Sequence, residues 1–172
     1  AEARSALLDA LAERANNAHV VVVSDYGYGS ATPAEVCAAG DAAVVVDSRR
    51  DLGTYHGAHT LKPNLSELEG FAGCDLHSEA SIVEAAQQLR TSAHAASVLV
   101  TLGREGMLLV EADGTTRIPV FGDDEVADVT GAGDSVLAAY SLGLGLGWSR
   151  AEAARLATVA GGVAVSHQGT YA

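Results

Sequence analysis

Three short blocks dominate the pattern: HVVVVSDY at 19–26, AAVVVD at 42–47 and SVLVTLG at 97–103. Their cores are unbroken runs of β-branched and aliphatic residues, too short for helices and lacking the alternation of a half-exposed strand. Strands of this kind are buried on both faces, the situation of a parallel sheet covered by helices above and below. Segments of helical period lie between them. Leu7, Leu8, Leu11 and Ala15 precede the first block. Thr32-Pro33-Ala34-Glu35, a capping box with proline at the first helical position, follows it, and a helix over 78–89 precedes the third. The alternation specifies an α/β fold, a doubly wound and mostly parallel sheet. Between the second and third blocks, HTLKPNLSELEGFAG reads as a short strand running into a short helix.

The pattern then changes. GMLLVEADGTTRIPV at 106–120 reads as a β-hairpin turning at Asp113-Gly114, a dipeptide that tolerates positive φ. A glycine-rich stretch opens a helix running toward Leu146, and Ser149 with Glu152 frames a capping box for a last helix. No repeat, linker or low-complexity tract divides the 172 residues, so residues 1–172 read as part of one domain.

Composition removes several classes of function. Ten basic residues face 22 acidic ones, a net charge of −12, and Lys62 is the only lysine. Such a chain repels phosphate backbones at long range, which argues against nucleic-acid or anionic-membrane partners. No apolar run approaches membrane-spanning length, and the first residues are charged and periodic, unlike a secretion signal; the expected location is cytoplasmic. Cys37 and Cys74 form no CxxC, and the six histidines form no HExxH. Redox chemistry and a structural zinc site therefore lack ligands.

Chemistry concentrates in Thr130-Gly131-Ala132-Gly133-Asp134. Glycines at a helix start let a ligand approach the backbone closely, while the unpaired amides of the first turn and the helix dipole favour an anion. An aspartate in a first turn is also a common helix-stabilising choice. Two nucleotide-binding patterns compete. Gly131-Ala132-Gly133 begins like a GxGxxG dinucleotide fingerprint, but Val136 stands at its sixth position and no strand-end acid follows. No GxxxxGK[ST] phosphate loop occurs.

Asp128-Val129-Thr130-Gly131-Ala132-Gly133-Asp134 resembles the signature of the PfkB (ribokinase-like) carbohydrate kinases. Lys62-Pro63-Asn64-Leu65-Ser66-Glu67 is similar to their PNxxE element and Thr101-Leu102-Gly103-Arg104-Glu105-Gly106 to their TxGxxG nucleotide loop, in the same order. Ser24-Asp25-Tyr26-Gly27, the tract from Gly57 to Glu67, and His167-Gln168-Gly169-Thr170 most resemble the D-glycero-β-D-manno-heptose 7-phosphate kinases within that family. Tyr28 stands where many of those have lysine, Ser48-Arg49 where many have a Pro-Lys pair, and Thr158 where many have asparagine.

The resemblance implies ATP and Mg²⁺ as cofactors and a sugar or sugar phosphate as acceptor. It makes Asp134 the general base and the Gly131, Ala132 and Gly133 amides an anion hole. Asn64 and Glu67 would hold Mg²⁺ through water, and Thr101, Gly103, Gly106 and Gly161 would line the nucleotide site. It covers only the second half of the family's fold. The expectation is therefore a C-terminal, ATP-binding and catalytic portion, without the family's early strands and β lid, whose sheet edge is exposed and invites association; a homodimer stays open. A catalytically silent nucleotide-binding or dimerisation module is the main alternative, and an NAD-dependent oxidoreductase a more distant one. Lys62, beside a turn, reads as solvated or as a mobile phosphate contact. Asp25 and Asp47 read equally as cleft residues or turn caps.

Overall fold

The computed structural model describes residues 2–29, 31–49, 51–121 and 131–165. In chain order the elements are α1 (Glu2–Ala15), β1 (Val20–Asp25), α2 (Ala34–Ala38), β2 (Ala43–Ser48), β3 (Thr60–Leu61), α3 (Leu65–Ala72), α4 (Glu79–Ser92), β4 (Ser97–Thr101), β5 (Met107–Glu111), β6 (Thr115–Ile118), α5 (Ala132–Gly145) and α6 (Arg150–Val165). One six-stranded sheet runs in strict chain order, β1-β2-β3-β4-β5-β6. The pairs from β1 to β4 are parallel, and the β5–β6 hairpin adds two antiparallel pairs. The mostly parallel α/β sheet expected from the sequence is present, its hairpin closed by the Glu111 amide donating to the Gly114 carbonyl.

Both faces of the sheet are covered, which explains the unbroken apolar blocks. Val44, Val46, Leu61, Val98 and Val100 meet Val36 of α2, Leu68 of α3 and Leu89 of α4 on one face. Val45, Leu99 and Leu109 meet Val136, Leu137 and Tyr140 of α5 and Ala153, Ala154 and Ala157 of α6 on the other. Each valine or leucine side chain so removed from water contributes about 1.5–3 kcal/mol, which places much of the stability of the fold in its central strands. α5 and α6 approach closely through small residues: a Cβ on Gly143 would stand 2.9 Å from the Ala153 Cα, and one on Gly161 2.9 Å from Val136 Cγ2.

β1 and β6 are the outer strands of the sheet, and Val22 of β1 is 45% exposed. At the N-terminal ends of the parallel strands a polar chain ties the layers together. Arg150 Nη2 lies 3.1 Å from His59 Nε2, His59 Nδ1 lies 3.2 Å from Thr60 Oγ1, and that hydroxyl contacts Ser97 Oγ at 2.9 Å and the Tyr140 hydroxyl at 3.1 Å. A guanidinium has no acceptor, so His59 Nε2 must accept and Nδ1 must carry the proton.

Candidate active site

Parallel strands deliver side chains to their C-terminal ends, and register decides which ones meet. Val46 pairs with Leu61, so Asp47 and Lys62 follow at adjacent positions on neighbouring strands. The period of two sets their direction. Val45 faces α5, and so does Asp47; Thr60 faces Tyr140 of α5, and so does Lys62. Lys62 is only 3% exposed, and its ammonium lies 2.8 Å from Asp47 Oδ2. The same ammonium is 4.0 Å from where a Cβ on Gly133 would stand. The expectation of a solvated lysine is therefore corrected: pairing with Asp47 holds the charge beneath the helix start, where the missing side chain of Gly133 leaves it space.

Gly131 precedes α5 with φ 81°, a left-handed conformation that favours glycine, and turns the chain so that the helix begins at Ala132. Among the described residues no side chain caps this end. The Ala132 and Gly133 amides belong to the first turn, whose N–H groups have no intrahelical acceptor. Asp134 is exposed in the same turn. Its carboxylate accepts from the Tyr26 hydroxyl, at 2.8 Å to Oδ1 and 3.0 Å to Oδ2. Asp128, Val129 and Thr130 of the motif, and His167 to Thr170, lie outside the described residues.

Tyr26 reaches Asp134 because Asp25 points the other way. Val23 packs on the α2–α4 face and Asp25 follows it there, 3% exposed; the next residue turns toward α5. Asp25 anchors the turn by accepting from the Gly27 amide at 2.8 Å, Ser48 Oγ at 2.9 Å and the Tyr55 hydroxyl at 2.8 Å. The two strand-end aspartates thus divide the alternatives left open by the sequence: Asp25 holds a turn, Asp47 faces the glycine turn through Lys62. Burial pushes the Tyr55 phenol up to about 12, and the neighbouring Asp25 adds to it. Tyr26 is raised too, chiefly by its hydrogen bond to Asp134. The Arg49 guanidinium lies over the Tyr26 ring, 4.8 Å from its centroid.

Asn64 and Glu67 form a reciprocal capping box at the start of α3: Asn64 Oδ1 accepts from the Glu67 amide and Glu67 Oε2 from the Asn64 amide, both at 2.8 Å. Burial raises the Glu67 carboxyl above its ordinary range, against the lowering effect of the Asn64 amide, and Asp47 raises it further. A half-buried carboxylate whose charge is disfavoured is a place where a cation is welcome. Among the described residues no group of three or more His, Cys, Asp or Glu side chains could cage a metal. Asn64 and Glu67 are the residues at this strand end that could hold a hydrated cation.

Thr101 ends β4 beside this box, bridged to Asn64, and by alternation from Leu99 it shares the α5 face with Asp47 and Lys62. Gly103 and Gly106 bound the following turn, with φ 57° and 83°. Gly106 has a structural reason to lack a side chain, since a Cβ there would stand 2.2 Å from the Ile118 carbonyl oxygen. Gly161 faces Val136 of α5, so the structure gives it a helix-packing role. Thr158 donates to the Pro119 carbonyl at 3.1 Å, fixing the end of the hairpin on α6.

The sheet in this order thus carries helices on both faces and, at the C-terminal ends of its parallel strands, a bare helix start bearing an aspartate beside a buried lysine. The model of the pfkB family carbohydrate kinases matches residues 31–172, and the chain belongs to that family. It is 42% identical over 172 residues to "Bifunctional protein HldE" of Geotalea uraniireducens, covering 95% of this chain and 35% of the relative. It is 40% identical to the protein of that name from Citrifermentans bemidjiense, covering 99% and 36%. The chain thus spans about a third of the length of these relatives. Among solved structures it resembles a ribokinase of Arabidopsis thaliana complexed with ribose and ATP (TM-score 0.81, 24% identity, 94% of this chain and 54% of that one). It also resembles phosphofructokinase-2 of Escherichia coli in complex with potassium (TM-score 0.80, 26% identity, 95% and 57%).

Proposed function

We propose that this chain is the ATP-binding and catalytic portion of a kinase that moves the γ-phosphoryl group of ATP to a hydroxyl of a sugar or sugar phosphate, heptose 7-phosphate being the first choice of acceptor. The single observation that carries the reading is the juxtaposition at the start of α5. An exposed Asp134 carboxylate stands in the same turn as the Ala132 and Gly133 amides, with the buried Lys62 ammonium beside Gly133. Phosphoryl transfer needs little else from a protein than a base for the acceptor proton and donors facing the moving charge.

In this reading Asp134 takes the proton of the acceptor hydroxyl as its oxygen bonds to phosphorus. The glycine-turn amides and Lys62 face the phosphoryl oxygens as the bond to ADP breaks. Thr101 and the Gly103–Gly106 turn lie toward the nucleotide. Glu67, with Asn64, would hold Mg²⁺ through its water shell; the ion supplies charge neutralisation on the phosphates. The heptose choice is supported by the Ser24–Gly27 and Gly57–Glu67 tracts and by the identity with the HldE proteins.

The test is Asp134→Asn in the full-length protein, with ATP affinity measured by calorimetry and turnover by coupled assay against a sugar and sugar-phosphate panel. ATP binding is expected to persist while turnover falls about 10²- to 10⁴-fold, the usual value of general-base assistance. Turnover equal to the wild type removes the base assignment. ATP binding by the wild type without phosphorylation of any sugar favours a silent nucleotide-binding module instead.

A further inference from the structure

The hydrogen bond on Asp134 has the chemistry of the reaction it is proposed to serve. A neutral hydroxyl donates to the carboxylate, 2.8 and 3.0 Å from its two oxygens, and that hydroxyl belongs to Tyr26 rather than to a sugar. Among the described residues no other side chain donates to Asp134. From this hydroxyl-to-carboxylate contact on an exposed base we infer that Tyr26 occupies the seat that the acceptor hydroxyl takes, and that acceptor binding displaces it; this rests on the kinase reading above.

Three features of the fold support the displacement. Tyr26 is 43% exposed, so moving its ring uncovers little that is buried. The residue that holds the turn is its neighbour Asp25, whose bonds to the Gly27 amide, Ser48 and Tyr55 remain in place when the phenol moves. The ring's other partner is the exposed Arg49, a cation against its face, which constrains the ring weakly compared with a packed core. Tyr26 is therefore a positioning residue: it holds the carboxylate in the unliganded protein and competes with the substrate for it.

A competitor of this kind lowers apparent acceptor affinity by the fraction of molecules in which it is seated. Tyr26→Phe in the full-length protein is expected to lower the KM for D-glycero-β-D-manno-heptose 7-phosphate about three- to tenfold, the factor for a seat filled in roughly 70–90% of molecules, and to change kcat by less than that. A KM that stays the same or rises, with kcat lost, would show that Tyr26 assists the chemistry and would overturn the proposal. The contact has its own readout. Tyrosine labelled at ¹³Cζ should show the Tyr26 phenol titrating above an ordinary tyrosine in the unliganded protein, and returning toward the ordinary value both in Asp134→Asn and on saturation with the sugar phosphate. A phenol that stays raised with the sugar bound overturns displacement. If the wild type phosphorylates no sugar while Asp134→Asn still shifts Tyr26, the kinase reading fails and the Tyr26–Asp134 contact stands, so the two failures are told apart.

Discussion

The Lys62 ammonium lies 2.8 Å from Asp47 Oδ2 at 3% exposure, the only lysine of a chain with net charge −12. A buried ion pair offsets its own desolvation only while both partners are present, so its two halves respond unequally to removal. Asp47→Asn leaves an unpaired buried ammonium and is expected to lower stability by about 3–5 kcal/mol in urea denaturation, while Lys62→Met/Asp47→Asn recovers most of the loss. Nucleotide affinity should separate from stability: Lys62→Met and the double variant both lose about 10- to 100-fold for ATP, the worth of a charge-assisted contact, and neither recovers it. ATP binding at wild-type strength in the stable double variant would leave Lys62 a structural role alone.

Gly103 and Gly106 sit three residues apart in one turn, yet they are glycines for different reasons. A Cβ on Gly103 meets nothing within 4 Å, so Gly103→Ala carries only the left-handed backbone cost of about 1–2 kcal/mol. A Cβ on Gly106 meets the Ile118 carbonyl oxygen at 2.2 Å and the Val120 nitrogen at 2.9 Å, backbone that cannot step aside. Gly106→Ala is expected to cost at least about 3 kcal/mol by chemical denaturation. Equal losses in the two variants would contradict this division. A fall in ATP affinity larger than the fall in stability for Gly103→Ala would mark that position as the one lying against the nucleotide.

His59 gives the protein a dependence on pH far from the glycine turn. Burial lowers its pKa first, Arg150 lowers it further, and Glu111 opposes them. The folded protein thus holds His59 neutral where the unfolded chain, with a histidine pKa near about 6.5, already binds a proton. Linkage then makes its stabilising contribution complete above that value and lost as pH falls through the lower, folded pKa. In His59→Gln, whose carboxamide oxygen accepts from Arg150 without titrating, the fall in melting temperature between about pH 7 and pH 5 should be smaller than in the wild type. Identical slopes in the two proteins would exclude His59 as their source.

The elements that could be read from the sequence are those whose cause is local. Buried strands announce themselves by unbroken valine runs, the hairpin by Asp113-Gly114, and α3, α4 and α6 by side chains that cap their own first turns. The direction of a strand-end side chain is not local. Asp25 and Asp47 look alike in the sequence, and only the alternation within each strand, fixed by which face Val23 and Val45 bury, sends one toward α2 and the other toward α5. The Lys62–Asp47 pair needed the β2–β3 register, and the Tyr26–Asp134 contact joins residues 108 positions apart. The capping box at Asn64 shows the converse. Its sequence supported two roles, and the geometry realises the helix-capping one while leaving Glu67 a carboxylate that burial has made reluctant to ionise.

Because each strand of the sheet lies beside its predecessor, the order in which a ribosome releases the chain is also the order in which the sheet can grow. Among the described residues no strand has to wait for a distant partner still unsynthesised, and none is inserted between two others. Such a ladder closes short loops first, so each helix–strand unit can dock as it emerges and the aggregation-prone interval of an unmatched edge passes from one strand to the next.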